Sequence, residues 1–283
     1  MLWRGGRESD NVEDRRGVSA GGLAVGGGVI GVIALIVNML LGGDVSQLPP
    51  ELLPGQQQSR QMTPAEDSVD NLRAEFVKVV LAETEDVWTK IFQQKGKEYP
   101  KPTLVLFRDA VQSGCGSAST ASGPFYCPGD HKLYIDLSFY QELQNRFHAP
   151  GDFAMAYVIA HEVGHHVQTL LGTSDKLALA RSSMGQAGYN KLSVKLELQA
   201  DFLAGVWGHY VNRARILEPG DLEDALNAAN AIGDDRLQKE TQGRIVPDAF
   251  THGTSAQRMY WFKKGFDTGD ITQGDTFSDP SLN

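Results

Sequence analysis

Two histidines four residues apart constrain this chain more than any other feature. They are His161 and His165, in the run AYVIAHEVGHHVQTL. Four residues is just over one helical turn, so on a helix both imidazoles project from one face, where two neutral nitrogens can reach a single metal ion. Glu162 lies beside the first of them and can act on a water held by that metal. This is the physical content of the HExxH pattern, and it points to zinc. Met155, Tyr157, Val158 and Ile159 are apolar enough to bury the helix. The pattern also arises by chance, and a helix carrying two surface histidines is the plain alternative.

A second segment, KLELQADFLAG, displaces that alternative. Glu197 and Asp201 are again four apart and are set among Leu196, Leu198, Leu203 and Val206. Two carboxylates on an otherwise apolar helix are costly to bury without partners. A hydrolytic zinc site takes three protein ligands, and two His with one Glu is a known set. Glu197 is therefore the expected third ligand, with one zinc ion per chain. Asp201 is expected to accept a hydrogen bond from the far nitrogen of His161 and so fix its tautomer. His166 lies about 100° round the helix from His165 and reads either as a structural residue or as a support behind the ligands.

With 283 residues the chain can hold one sizeable domain and an appendage. Its composition, 41% hydrophobic and 22% charged, is that of a globular protein. A net charge of -9 argues against nucleic acid as a partner, which requires a basic face. Cys115 and Cys127 are the only cysteines, so a Cys-rich zinc ribbon is excluded.

The N-terminal part reads differently. No charged residue occurs from Gly17 to Gly43, and Val29 to Leu41 is nearly continuous aliphatic sequence, long enough to cross a bilayer. No A-x-A-like cleavage site follows it, so an uncleaved anchor over 18–42 is expected rather than a signal peptide. Residues 1–17 then form a tail outside the catalytic fold. Arg4, Arg7, Arg15 and Arg16 in that tail predict a cytoplasmic N-terminus and an extracytoplasmic domain in the bacterial cell envelope. The pairs Gly22/Gly26 and Gly27/Gly31 have GxxxG spacing, which fits helix pairing and a homo-oligomer. Residues 43–65 carry four prolines and a Gln/Ser run, which makes them a linker. The catalytic domain is expected over 66–283.

Within it, three- and four-residue apolar spacing predicts a helix from Ser68 to about Gln94, and TLVLF predicts a strand over Thr103–Phe107. A Gly/Ser-rich stretch runs from Gln112 to Gly123. Phe125–Cys127 and Lys132–Asp136 flank the turn Pro128-Gly129-Asp130 as a hairpin. Further helices are expected over Leu137–Phe147, over Asp152–Leu171 with Asp152 as its cap, and from about Leu192 to Leu217. Another runs from its cap Asp221 to about Lys239, and a last one from Thr254 or Ser255 to about Lys264. A small sheet followed by helices gives an α+β fold.

The blocks GCGSASTASGPFYCPGDHKLYIDLSFY, HEVGHHVQ, LELQADFLAGVW and FTHGTSAQR together resemble the bacterial neutral zinc metallopeptidase family, over most of residues 66–270. The resemblance implies a zincin-like fold and a peptidase whose natural substrate is unassigned. At motif level the chain is also similar to the larger gluzincin clan. That similarity implies Glu162 as base, Glu197 as third ligand and Asp201 as the partner of a ligand histidine. His252 is the candidate donor to the reaction's oxyanion, with Arg258 as further support. A His followed by an Arg at this interval also resembles prenyl-protease-like gluzincins.

The Phe125–Asp136 hairpin is the expected edge on which a peptide substrate would add as a strand. Cys115 and Cys127 bracket the loop leading to it. A disulfide between them is expected if the domain lies outside the cytoplasm, and two reduced buried thiols are the alternative. The functional expectation is a membrane-anchored zinc endopeptidase. The alternatives are a zinc-stabilised binding or scaffold protein, and a hydrolase of non-peptide amides.

Overall fold

A computed structural model describes residues 1–17, 63–181 and 183–282. The expected anchor over 18–42 and most of the linker lie outside the described residues. Among the described residues no helix is long and apolar enough to cross a membrane.

Strand β1 (Val12–Asp14) is followed by helix α1 (Pro64–Gln94). This helix begins four residues before its apolar periodicity. Thr63 caps it, and its hydroxyl and the Glu66 carboxylate satisfy each other's backbone amides in a capping box. Strand β2 (Thr103–Phe107) has the predicted bounds, and so does the hairpin of β5 (Phe125–Cys127) and β6 (Lys132–Asp136). The intervening Gly/Ser stretch is not plain loop: β3 (Ala110–Ser113) and β4 (Gly116–Ser119) pair antiparallel in it.

Helices α2 (Phe139–Asn145), α3 (Asp152–Leu170), α4 (Thr173–Ala180) and α5 (Gln186–Arg213) follow. The chain continues through α6 (Asp221–Ala231), α7 (Asp234–Gln242) and α8 (Ser255–Thr268). Asp152 and Asp221 are first helical residues rather than caps, and Gly151 and Gly220 stand in the cap positions. The single helix expected from Asp221 to Lys239 breaks at Ile232–Gly233. There the backbone of Gly233 lies against Ser255, leaving only 2.4 Å between a Cβ at Gly233 and the Ser255 nitrogen. The result is the expected class, a helix-rich α+β fold.

The main sheet has the order β1-β2-β6-β5, with the first two pairings parallel and the last antiparallel. Alternation along β2 and β6 sends Leu104, Leu106, Leu133 and Ile135 into the main core with α1 and α3. Val105, Phe107 and Tyr134 face the other way, into a small cluster with Val111 and Cys127.

Residues 1–17 are not a tail outside this fold, which corrects that expectation. Val12, Glu13 and Asp14 are in register with Leu104, Val105 and Leu106. Trp3 is buried edge-on against Phe76, and its indole N–H donates to Asp152 at 3.0 Å. The strand escaped notice because it is three residues long with acidic side chains, and lacks an apolar run.

Two close helix crossings arrange the rest. Gly164, on α3 between the two motif histidines, packs on α5 so tightly that a Cβ would sit 3.0 Å from the Ala200 oxygen. Ala200 lies between Glu197 and Asp201, so this contact draws the two chemical faces together. Further along α5, Gly205 meets α8. A Cβ on Gly205 would lie 2.0 Å from the Phe262 oxygen, and one on Gly265 2.0 Å from the Phe202 oxygen.

Candidate metal centre

Helix α3 is buried almost throughout, from Phe153 to Val163. It presents His161, Glu162 and His165 towards α5, and α5 presents Glu197 and Asp201 in return. One donor atom from each of His161, His165 and Glu197 falls within a mutual 4.8 Å. Nε2 of His161 is 3.2 Å from one Glu197 oxygen, and Nε2 of His165 is 3.5 Å from the other.

The opposite ring nitrogens are already committed. Nδ1 of His161 donates to Asp201 at 2.8 Å. Asp201 is fully buried, and burial alone would raise its pKa. Arg258 and His161 outweigh that and hold it down at about 2. An ionised Asp201 can only accept, so a neutral His161 keeps its proton on Nδ1 and offers Nε2 to a metal, while without metal Nε2 is protonated as well and donates to Glu197. His165 is fixed in the same sense. The Gln168 amide nitrogen donates to the Leu196 carbonyl at 2.7 Å, which turns its oxygen toward Nδ1 of His165 at 2.8 Å.

Two imidazole nitrogens and a carboxylate, converging with their outer atoms anchored, fit a zinc ion in ligand type and number. In the protein without metal, burial opposes the charging of His161, yet Asp201 and Glu197 raise its pKa to about 10. Glu197 lies well below the ordinary range, because the histidines outweigh its burial. Glu162 moves the other way: burial raises it, against the opposing influence of both histidines and the Tyr126 backbone.

The structure separates the two residues proposed for the oxyanion. Arg258 is buried behind the site, not in the cleft, which corrects its expected role. Its Nε and Nη2 clamp the two Asp201 oxygens at 2.8 and 2.9 Å, and Nη2 also reaches the Tyr157 hydroxyl at 3.2 Å. Tyr157 itself donates to Asp201 at 2.5 Å. His252, by contrast, has a side chain half exposed to solvent. Asp234 organises its loop: one carboxylate oxygen accepts the amides of Thr251, His252 and Gly253, and the other lies 3.1 Å from Nδ1 of His252. Burial opposes charging of His252, but Asp234 and Glu197 raise its pKa.

His166 is structural, the first of its two expected roles. Its Nε2 donates to the Pro100 carbonyl at 2.7 Å, and Nδ1 accepts from the Tyr126 hydroxyl at 3.1 Å, tying α3 to edge strand β5. Cys115 and Cys127 form a disulfide that joins the β3–β4 turn to the end of β5. Sequence reasoning missed Gln168, Tyr157, Gly164 and Asp234. The first three carry a signal, since each lies within four residues of a motif histidine. Asp234 carries none, because only the break before α7 brings it to His252.

Burial depresses the pKa of His166 to about 4. The unfolded chain, with an ordinary value near 6.5, binds this proton more readily than the folded one. The contribution is therefore full above pH 6.5, shrinks as pH falls, and is lost below 4. For the metal-free protein this predicts a loss of up to about 3 kcal/mol across that window. His166→Phe should flatten this slope in denaturant midpoints measured between pH 7 and 4. An unchanged slope would show that another group carries it.

The fold and this donor set define a helix-rich α+β protein with a converging His–His–Glu set of metal-donor atoms on an HExxH helix. Comparison with known families agrees. The chain belongs to the family described as "Putative neutral zinc metallopeptidase", which it matches over residues 1–277. It is 52% identical over 288 residues to "Uncharacterized protein YpfJ" of Escherichia coli (strain K12), covering 98% of this chain and 99% of that one. It is 46% identical over 195 residues to "Uncharacterized protein Rv2575" of Mycobacterium tuberculosis (strain ATCC 25618 / H37Rv), covering 65% of each. No solved structure matches the chain.

Proposed function

We propose that the chain is a zinc-dependent endopeptidase. The observation that carries this reading is the convergence of His161, His165 and Glu197 beside Glu162, a buried carboxylate that none of them needs for binding metal. His161, His165 and Glu197 would hold one zinc ion, which when bound supplies Lewis-acid polarisation of the scissile carbonyl.

Glu162 takes the proton of the attacking water as the new C–O bond forms, then delivers it to the amine as the C–N bond breaks. His252, with Asp234 at Nδ1, donates a hydrogen bond to the oxyanion that develops on the carbonyl. A peptide adds along the free edge of β5, where Tyr126 lies beside Glu162. Membrane association through residues 18–42 belongs to the same proposal, with a substrate at or beside that membrane. It rests on the uncharged run from Gly17 to Gly43, and the GxxxG spacings there support self-association.

The full chain in detergent should cut members of a quenched-fluorescent peptide library. Cleavage should stop on chelation and return with stoichiometric zinc. Cleavage that survives complete metal removal would rule this mechanism out. A chain that binds one zinc, stays folded and cuts no peptide would instead be the scaffold, or a hydrolase of other amides.

A further inference from the structure

The seating of the N-terminal residues bears on which side of a membrane the site lies. Strand β1 is hydrogen-bonded into the sheet at both ends: Leu104 N–H donates to the Asn11 carbonyl and Arg15 N–H to the Leu106 carbonyl, each at 2.8 Å. The segment before it is held by Glu85, whose side chain on α1 is fully buried. Its carboxylate accepts from Ser9 at 2.5 Å, Asn11 at 2.8 Å, Arg7 at 3.1 Å and Lys101 at 3.2 Å. Three of these four partners come from residues 1–17, so withdrawing that segment strands a buried charge.

The segment after β1 is held as well. Arg16 reaches the Asp70 carboxylate and backbone at 3.1 Å and Asn71 at 3.1 Å. Gly17 and Asp67, one turn into α1, line the same surface hollow.

A bilayer core is about 30 Å thick, and hydrogen-bonded strands cannot sit on opposite sides of it. The arginines that predicted a cytoplasmic tail have other work: Arg7 pairs with Glu85 and Asp86, Arg15 with Glu13, and Arg16 with Asp14 and Asp70. We propose that residues 1–17 and the metal centre occupy the same side of any membrane that the apolar segment meets. The chain then does not thread that membrane once between its N-terminus and its site. This inference is independent of the proposed peptidase activity.

The test uses the full chain in intact cells, with a single reporter cysteine at Asp10 or at Glu223. Both positions are exposed, Asp10 before β1 and Glu223 on α6. Cys115 and Cys127 are joined to each other in the structure, and a parallel chain without the reporter measures any labelling that they contribute. A membrane-impermeant maleimide is applied before and after permeabilisation. Asp10→Cys and Glu223→Cys should label in parallel: both before, or both only after. Labelling of one before permeabilisation and of the other only after would overturn the proposal. Amide exchange on the purified full chain gives a second reading. Protection at Arg15 is expected, and exchange there at the rate of an open chain would also overturn it.

Discussion

Glu162→Gln is expected to lower kcat/KM against any cleaved peptide by a factor on the order of 10²–10⁴, the range for loss of a positioned general base. The same change should leave zinc stoichiometry and folding intact. Glu162 is not one of the three converging donors, and burial already disfavours its charge, so a neutral isostere suits its surroundings. Chemistry should therefore fail in kcat rather than in KM. Parallel measurement of zinc content, thermal midpoint and cleavage checks all of this. A variant that loses zinc along with activity would mean that Glu162 is part of the binding set.

Gly205→Ala is expected to have the largest effect on folding. Its Cβ would lie 2.0 Å from a backbone oxygen of α8, and no rotamer change can move that atom. The helices must separate, at a cost of about 3–5 kcal/mol or more. Because α5 carries Glu197 and Asp201 while α8 carries Arg258, zinc affinity should fall together with the thermal midpoint. Gly188→Ala on the same helix is the control. Its Cβ meets only the Met184 side chain, at 3.7 Å and beyond, so it should leave stability unchanged or raise it by up to about 1 kcal/mol. Equal midpoints for the two variants would show that the crossing is not close.

The grouping of the site residues was legible in the sequence because helical spacing is a strong rule. His161 with His165, and Glu197 with Asp201, could each be placed on one face by counting alone. Strands β2, β5 and β6 were legible from alternation and turn residues. The failures share a different cause. Arg258 looked like a cleft residue because its distance along the chain from His252 says nothing about depth, and only the Gly205–Gly265 crossing buries it against Asp201. Asp234 was invisible because a loop partner is set by where a helix breaks. Strand β1 was invisible because a short acidic edge strand has no local signal and takes its stability from Glu85 and β2, far along the chain.

The position of Arg258 has a consequence for the order in which the protein is built. The paired motifs on α3 and α5 leave the ribosome well before α8, which supplies the guanidinium that holds Asp201 ionised and so keeps the proton of His161 on Nδ1. Until that helix docks, the ligands are present but Asp201 is a buried charge without its main counterion. A nascent chain therefore carries the motif before it carries the centre, and competence arrives only once Ser255–Thr268 has been made and has docked.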